Sequence, residues 1–450
     1  MWNRKIVVDD KAIGAGTTLT LKQSLLPCAL VTSLFFLWGF AYGLLDVLNS
    51  HFQAALNISP SMASGLSSAY FGAYFICPLT ISGWILRRYG FRVTFMSGLA
   101  ILAVGCLLFW PSGVKRSFGG FCGSMFVVGA GLSTLETGAD NFLSICGPPK
   151  YSEIRLNFAQ GFNGIGTFAA PLLASRVFFA KTVDTSAGLA NVQWVYLGVA
   201  GFVLLLIPLF YLAPMPEVTD ADMSMQEVEI EHEDVGPLRK QYNLFLSIWA
   251  EFMYVAAQAN MLALGQGLYT VNRFGAAAMM MWPRTKPRLM LAVYLAFSFI
   301  FALAATLTTG KASIAMLILV LCAESLLFPT IFTLGLRGLG RHTKLGGSFL
   351  VSSVSGGAVG PPICGAVADR WGFHTAMAVP AACYAAAYVY PVYINTVKRK
   401  MMDSHRETNL NVTEATAIDV KTLEVEKGGD FEMDVQKVEK RSVHQTEVEA

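Results

Sequence analysis

Charge is what this sequence has least of. Asp, Glu, Lys and Arg together make up 14% of its 450 residues, against 54% hydrophobic ones, a balance that excludes an ordinary soluble domain. Eight cysteines, at 28, 77, 106, 122, 146, 322, 364 and 383, show no C-x-x-C or metal-ligand spacing; they read as small core residues. The six histidines fall mostly in loops and tails, which leaves no metal or catalytic cluster. No phosphate loop, nucleophile elbow or zinc motif occurs, so neither an enzyme nor a cofactor is expected. The net charge of +3 names no partner, and no motif points to nucleic acid. A cleavable signal peptide is also missing, and the first apolar run is long enough to act as an uncleaved anchor.

What is abundant is apolar sequence in runs of membrane-spanning length. Spanning ~30 Å of hydrocarbon takes about 20 residues, and such runs recur at roughly 27–49, 62–86, 91–111, 118–145, 154–180 and 193–213. An acidic stretch at 214–242 interrupts them. They resume at about 243–282, 288–309, 312–336, 345–369 and 373–396. The expected organisation is a cytoplasmic tail (1–24), a six-helix bundle (25–213), an acidic cytoplasmic linker (214–242), a second bundle (243–397) and a disordered cytoplasmic tail (398–450).

The two halves read as repeats. T-S-L-F-F-L-W-G-F-A-Y (32–42) echoes N-L-F-L-S-I-W-A-E-F-M-Y (243–254), and Gly147 to Gly166 lines up with Gly338 to Gly357. Glu136 and Glu324 occupy comparable places. Parallel six-helix repeats are a transporter architecture with substrate bound near the midplane. One defect stands out: Trp38 and Gly72 are 34 positions apart, whereas Trp249 and Gly267 are only 18 apart. Residues 243–282 therefore hold two cramped spans. Counting them as one would move Arg284, Lys286 and Arg288 outside, against the excess of Lys and Arg in cytoplasmic loops. Twelve spans with both termini cytoplasmic follow, helices 7 and 8 being shortened.

Polar groups in mid-span mark the expected site. Glu136 lies in G-A-G-L-S-T-L-E-T-G-A-D-N-F, and Gln160 and Asn163 lie in R-L-N-F-A-Q-G-F-N-G-I-G. An ionisable group at that depth costs about 2.5–3.5 kcal/mol on insertion scales and therefore usually faces a wet cavity. Neighbouring small residues let helices approach closely enough to enclose one.

Local motifs resemble a known family. G-W-I-L-R-R-Y-G-F-R (83–92) is similar to the G-x-x-x-D-R-x-G-R-R loop of the major facilitator superfamily, with Arg87 where Asp is usual. G-A-V-A-D-R-W-G-F (365–373) is similar to it more closely. S-L-F-F-L-W-G-F-A-Y-G-L-L-D-V-L-N-S-H-F-Q, L-E-T-G-A-D-N and R-L-N-F-A-Q-G-F-N-G-I-G resemble the fucose permease branch, particularly fungal hexose-transporter-like members. The resemblance, over about 25–396, implies an all-α membrane fold of two six-helix bundles related by a pseudo-twofold axis. It also implies proton-coupled sugar symport by alternating access. It assigns sugar handling and proton coupling to Asp46 and Glu136, and contacts with sugar hydroxyls to Gln160 and Asn163. Gly43 stands where bacterial fucose permeases often have Asn, and part of helix 7 is missing.

The chemistry is consistent with that assignment. A carboxyl in an apolar wall is a natural proton carrier, since its charged form is poorly solvated there; Glu136 fits this role, and Asp46 is placed to accept sugar hydroxyls or relay the proton. The amides of Gln160, Asn163 and Asn157 offer donors and acceptors, and Trp38 and Tyr42 offer faces for the sugar's apolar side. Glu324, near Pro329, either pairs across the cavity or caps a broken turn. Asp46 also reads as a solvated helix-end residue, the amides as interhelical glue, and the aromatics as packing. The expected partners are a monosaccharide, a proton as coupling ion and the bilayer of the plasma membrane, with the chain acting as a monomer. A non-transporting sugar sensor, a carrier of another solute and an inactive product of the shortened region stand beside this.

Overall fold

The computed structural model describes residues 21–56, 60–115, 117–174, 189–213, 215–218, 223, 236–258, 263–282 and 284–407. Among them every regular element is helical. The first half comprises α1 (Leu21–Leu56), α2 (Pro60–Cys77), α3 (Gly83–Val114), α4 (Phe118–Ile145), α5 (Ser152–Leu173) and α6 (Leu189–Leu212). The second half begins with α7 (Tyr242–Ala257), α8 (Ala263–Met280) and α9 (Pro287–Leu307). Three broken spans follow: α10 (Lys311–Glu324) with α11 (Leu327–Leu336), α12 (Thr343–Ser353) with α13 (Gly360–Trp371), and α14 (Phe373–Ala376), α15 (Ala378–Ala387) and α16 (Val389–Thr396) in series. A last helix, α17 (Arg399–Glu407), closes the described chain.

Seven helical segments among the described residues are long and apolar enough to cross a membrane. One of them, Gly65–Val114, holds two crossings, because the path turns at Gly90, whose φ of 82° breaks the helix. Helices α5, α7 and α8 are not among the seven. α5 carries Glu153, Arg155, Asn157, Gln160 and Asn163 within one span. α7 has only 16 residues, about 24 Å of helix against ~30 Å of hydrocarbon, and α8, with 18, interrupts its apolar sequence with Gln266, Asn272 and Arg273. The two cramped spans at 243–282 are therefore seen as two short helices.

Two boundaries differ from expectation. The chain is already helical at Leu21, inside the anticipated tail, since Lys22 and Gln23 form helix readily while escaping a hydropathy window; Ser24 is buried. The tail expected to be disordered from Lys398 begins instead with α17, held by Asp403 on Lys286 and Arg288 at 2.7 and 2.9 Å. Residues 408–450 lie outside the described residues.

Packing inside a membrane cannot rest on expelling water, so it rests on close contact. At Gly39 on α1 an added Cβ would stand 1.9 Å from the Asn163 carbonyl oxygen of α5, leaving room for no side chain. The outward faces are apolar: α6 exposes Phe202, Leu205, Leu209 and Leu212, and α9 exposes Val293, Phe297 and Ile300. Faces this apolar are covered by lipid. The repeat is visible in backbone conformation, since Gly147 and Gly338, matched in sequence, both take positive φ, 91° and 77°.

Candidate functional site

The polar side chains meet at the seam between the halves. α4 presents Glu136 and, one turn later, Asp140; α5 presents Asn157, Gln160 and Asn163; all five are buried. From the other half come Glu251 of α7, Arg273 of α8 and Glu324 at the end of α10, each at most 3% exposed. This centre is closed to solvent.

Arg273 joins the two sides. Its Nη1 donates to both the backbone oxygen and Oε1 of Gln160, each at 2.8 Å. Its Nη2 donates to the Tyr269 hydroxyl, and the guanidinium lies over that ring, 4.5 Å from the centroid. Its Nε donates to the Ser325 carbonyl at 2.7 Å. That carbonyl is available for a sequence reason: four residues on stands Pro329, which has no N–H to offer it. The break between α10 and α11 thus makes the acceptor on which Arg273 is anchored. The neighbouring Asn272 amide donates to the Cys322 carbonyl and, at 2.8 Å, to the Ser325 hydroxyl.

Glu324 sits at that same break. It accepts the Tyr384 hydroxyl at 2.5 Å and the Gln258 amide at 3.5 Å, both from the second half, so these two bonds do not cross to the first bundle. By contrast, both carboxyl oxygens of Glu251 lack a hydrogen-bond partner among the described residues, while Glu136 faces the Tyr74 hydroxyl and Asp140 the Gln160 side chain. Arg273 acts electrostatically on Glu136, Asp140, Glu251 and Glu324 alike. One guanidinium cannot neutralise four carboxylates, and an ionised carboxylate left uncompensated in a low dielectric is strongly unfavourable.

Other expected residues distribute unevenly. The Asn157 amide donates to the Glu153 carbonyl at 2.9 Å and reaches Thr330 Oγ1 at 3.4 Å, an interhelical tie across the seam. The Asn163 amide nitrogen has no hydrogen-bond acceptor among the described residues, whereas the Gln160 side chain faces the Asp140 carboxyl. The Trp38 indole donates to the Tyr74 hydroxyl at 2.6 Å, and Tyr74 in turn bears on Glu136. Tyr42 and Asp46 lie one turn apart on α1, but their side chains are outside the described residues.

Three members of the cluster were not anticipated. Asp140 follows Glu136 by four positions, which places both on one helix face; the signal was present within L-E-T-G-A-D-N. Glu251 sits inside the repeat motif W-A-E-F-M-Y, and Arg273 lies in mid-span, where a charge is itself a functional signal.

Comparison with known proteins bears on the family and the fold. A family profile described as Major Facilitator Superfamily matches residues 31–361. The chain is 28% identical over 410 residues to the L-fucose-proton symporter of Escherichia coli (strain K12), covering 82% of this chain and 93% of that protein. It is 30% identical over 387 residues to a putative glucose/galactose transporter of Helicobacter pylori (strain J99), covering 79% and 93%. Among solved structures, the crystal structure of the transporter FucP in the outward conformation superposes with a TM-score of 0.68 at 27% identity, covering 82% of this chain and 99% of that one.

Proposed function

Because this chain belongs to the Major Facilitator Superfamily, we propose that it carries a monosaccharide across the membrane by alternating access, in symport with a proton. It is a transporter rather than an enzyme. The observation that carries the reading is the cluster of buried carboxyls and amides at the seam, Glu136 and Asp140 beside Gln160 and Asn163, facing Glu251, Arg273 and Glu324. A closed polar centre between two bundles is what a carrier needs to hold a neutral polyol and a proton out of contact with either aqueous phase.

In this reading Glu136 exchanges the coupling proton. Gln160 and Asn163 bind sugar hydroxyls, for which the Asn163 amide still has an unused donor. Asp46 and Tyr42 contribute from α1, and Trp38 holds the Tyr74 hydroxyl next to Glu136. The chain acts as a monomer in the plasma membrane with both termini cytoplasmic. The cations Arg87, Arg88, Arg92, Lys150, Arg284, Lys286 and Arg341 then share the cytoplasmic side, as the positive-inside tendency favours.

Proteoliposome uptake of labelled L-fucose, D-galactose and D-glucose, with and without an inward proton gradient, tests the reading. Accumulation of one sugar above its external level, abolished by a protonophore, is expected. Equal entry of all three with no gradient dependence would reduce it to facilitated leakage. Gln160→Ala and Asn163→Ala should each weaken sugar binding, by roughly threefold to tenfold for one hydrogen bond, while inserting normally.

A further inference from the structure

We propose that Arg273 is the residue through which sugar and proton are coupled, because it is the shared competitor of both. The inference rests on the transport reading above. Two facts about Arg273 matter. It occupies the Oε1 acceptor of Gln160, 2.8 Å away, which a sugar hydroxyl would have to take over. It is also the cation that acts on Glu136 and Asp140, carboxyls that otherwise face the Tyr74 hydroxyl and the Gln160 side chain.

A ligand that displaces Arg273 from Gln160 therefore removes the positive charge from the first-half carboxyls, which then hold a proton more readily. The reverse follows by linkage: a proton on those carboxyls weakens the hold on the guanidinium and leaves Gln160 easier to win. Two ligands that each compete with one internal cation help each other, which is the sign that symport requires. An arginine that simply blocked the proton site, with no contact to the sugar amide, would give no such coupling.

The anchor makes the displacement directional. Nε stays on the Ser325 carbonyl and the ring of Tyr269 backs the guanidinium, both in the second half. Released from Gln160, Arg273 retains its second-half partners while the first half is freed. The same displacement breaks a tie across the seam, since α5 belongs to one bundle and α8 to the other. Titratable groups face this centre from every packed element: Tyr74 of α2, Glu136 and Asp140 of α4, Glu251 and Tyr254 of α7, Tyr269 of α8, Glu324 of α10 and Tyr384 of α15. The coupling assigned to Arg273 is the part of the pH response that disappears with its charge.

The experiment measures binding of tritiated D-galactose, D-glucose and L-fucose to the purified full chain between pH 5.5 and 8.5, together with proton uptake on sugar addition in weakly buffered solution. Wild type should lose affinity as pH rises, by a factor within the ~5–150-fold range of ordinary coupling, and should take up protons when sugar is added. Arg273→Gln should bind sugar at pH 8 at least as tightly as wild type. Its pH dependence should fall below twofold and its proton uptake vanish, with accumulation against a sugar gradient lost. In a Gln160→Asn background the same substitution should change proton uptake less than it does alone, because the shared contact is already disturbed. If Arg273→Gln fails to insert, Arg273→Lys carries the test. It keeps the charge but not the fork, so its affinity should rise and its pH slope should be shallower than that of wild type.

An Arg273→Gln or Arg273→Lys chain with the wild-type pH slope and proton uptake overturns the proposal, as does full additivity with Gln160→Asn. Wild type that binds a sugar without pH dependence sinks the coupling and leaves sugar transport standing. Wild type that binds none of the three sinks both.

Discussion

At the scale of single residues the chain is organised by where it leaves polar groups unmet. Glu136 is 5% exposed and faces the Tyr74 hydroxyl with no cation bonded to it among the described residues, a placement that structural duty alone does not explain. Glu136→Gln keeps shape and polarity but cannot exchange a proton. It is expected to abolish gradient-driven accumulation while sparing sugar-for-sugar exchange, and counterflow in vesicles separates the two. Glu217 does a different job outside the membrane: its carboxylate accepts the Phe91 and Arg92 N–H groups at 3.0 and 3.3 Å, capping the helix that restarts after Gly90. Burial pushes this carboxyl above its ordinary range, and the two N–H groups pull it down without cancelling that effect. A folded state that holds the proton more tightly than the unfolded chain loses stability as pH rises through the range above ~4.3. Glu217→Gln, whose amide oxygen still accepts a cap bond, should remove that loss. Its thermal midpoint should vary less with pH from 4 to 7 than that of wild type; an unchanged slope would contradict this account.

At the scale of elements, α17 is the part that sequence pattern concealed. Asp403 lies in what reads as a charged tail, yet Lys286 and Arg288, more than a hundred positions away, fold back to bind it. Burial tends to raise this carboxyl, but the Arg288 and Lys286 hydrogen bonds and charges win and lower it to about 2. A depressed carboxylate stabilises docking above its unfolded value near ~3.9 and loses that contribution as pH falls toward 2. Hydrogen exchange should find α17 protected at pH 7 and down to about pH 4, then progressively unprotected. Asp403→Asn should be unprotected already at neutral pH. The spans themselves were legible, because apolar length and the repeat are local properties of the chain. So were Glu136, Gln160 and Asn163, which stand in short motifs. The Arg273 contacts were not, because they depend on α8 lying against α5 and on the kink that Pro329 makes in a third element. Glu251 and Asp140 were visible as charges, but their convergence is a fact of tertiary packing.

At the scale of the molecule, the two bundles are fastened at more than the central site. Glu153 of α5 pairs with Arg337, just after α11, and both are less than a tenth exposed; Arg337 also donates to the Met402 carbonyl of α17. The pair lies beside the loops that carry Lys150 and Arg341, so it closes the side assigned above to the cytoplasm. Replacing one partner of a buried ion pair strands the other, at a cost of about 3–5 kcal/mol, but that cost falls only on conformations in which the site is closed. When the halves part on this side, a lone Arg337 reaches water and the penalty vanishes. Glu153→Gln should therefore shift the population toward opening on this side rather than unfold the chain. Spin labels at Lys150 and Arg341, one in each half and both exposed, in a cysteine-free background would report it as a longer distance in the variant. Arg337→Met combined with Glu153→Gln should restore part of the closed population, since no unpaired charge then remains buried. A variant that loses its fold but keeps the wild-type distance in the surviving fraction would show that the pair serves stability rather than the opening of the seam.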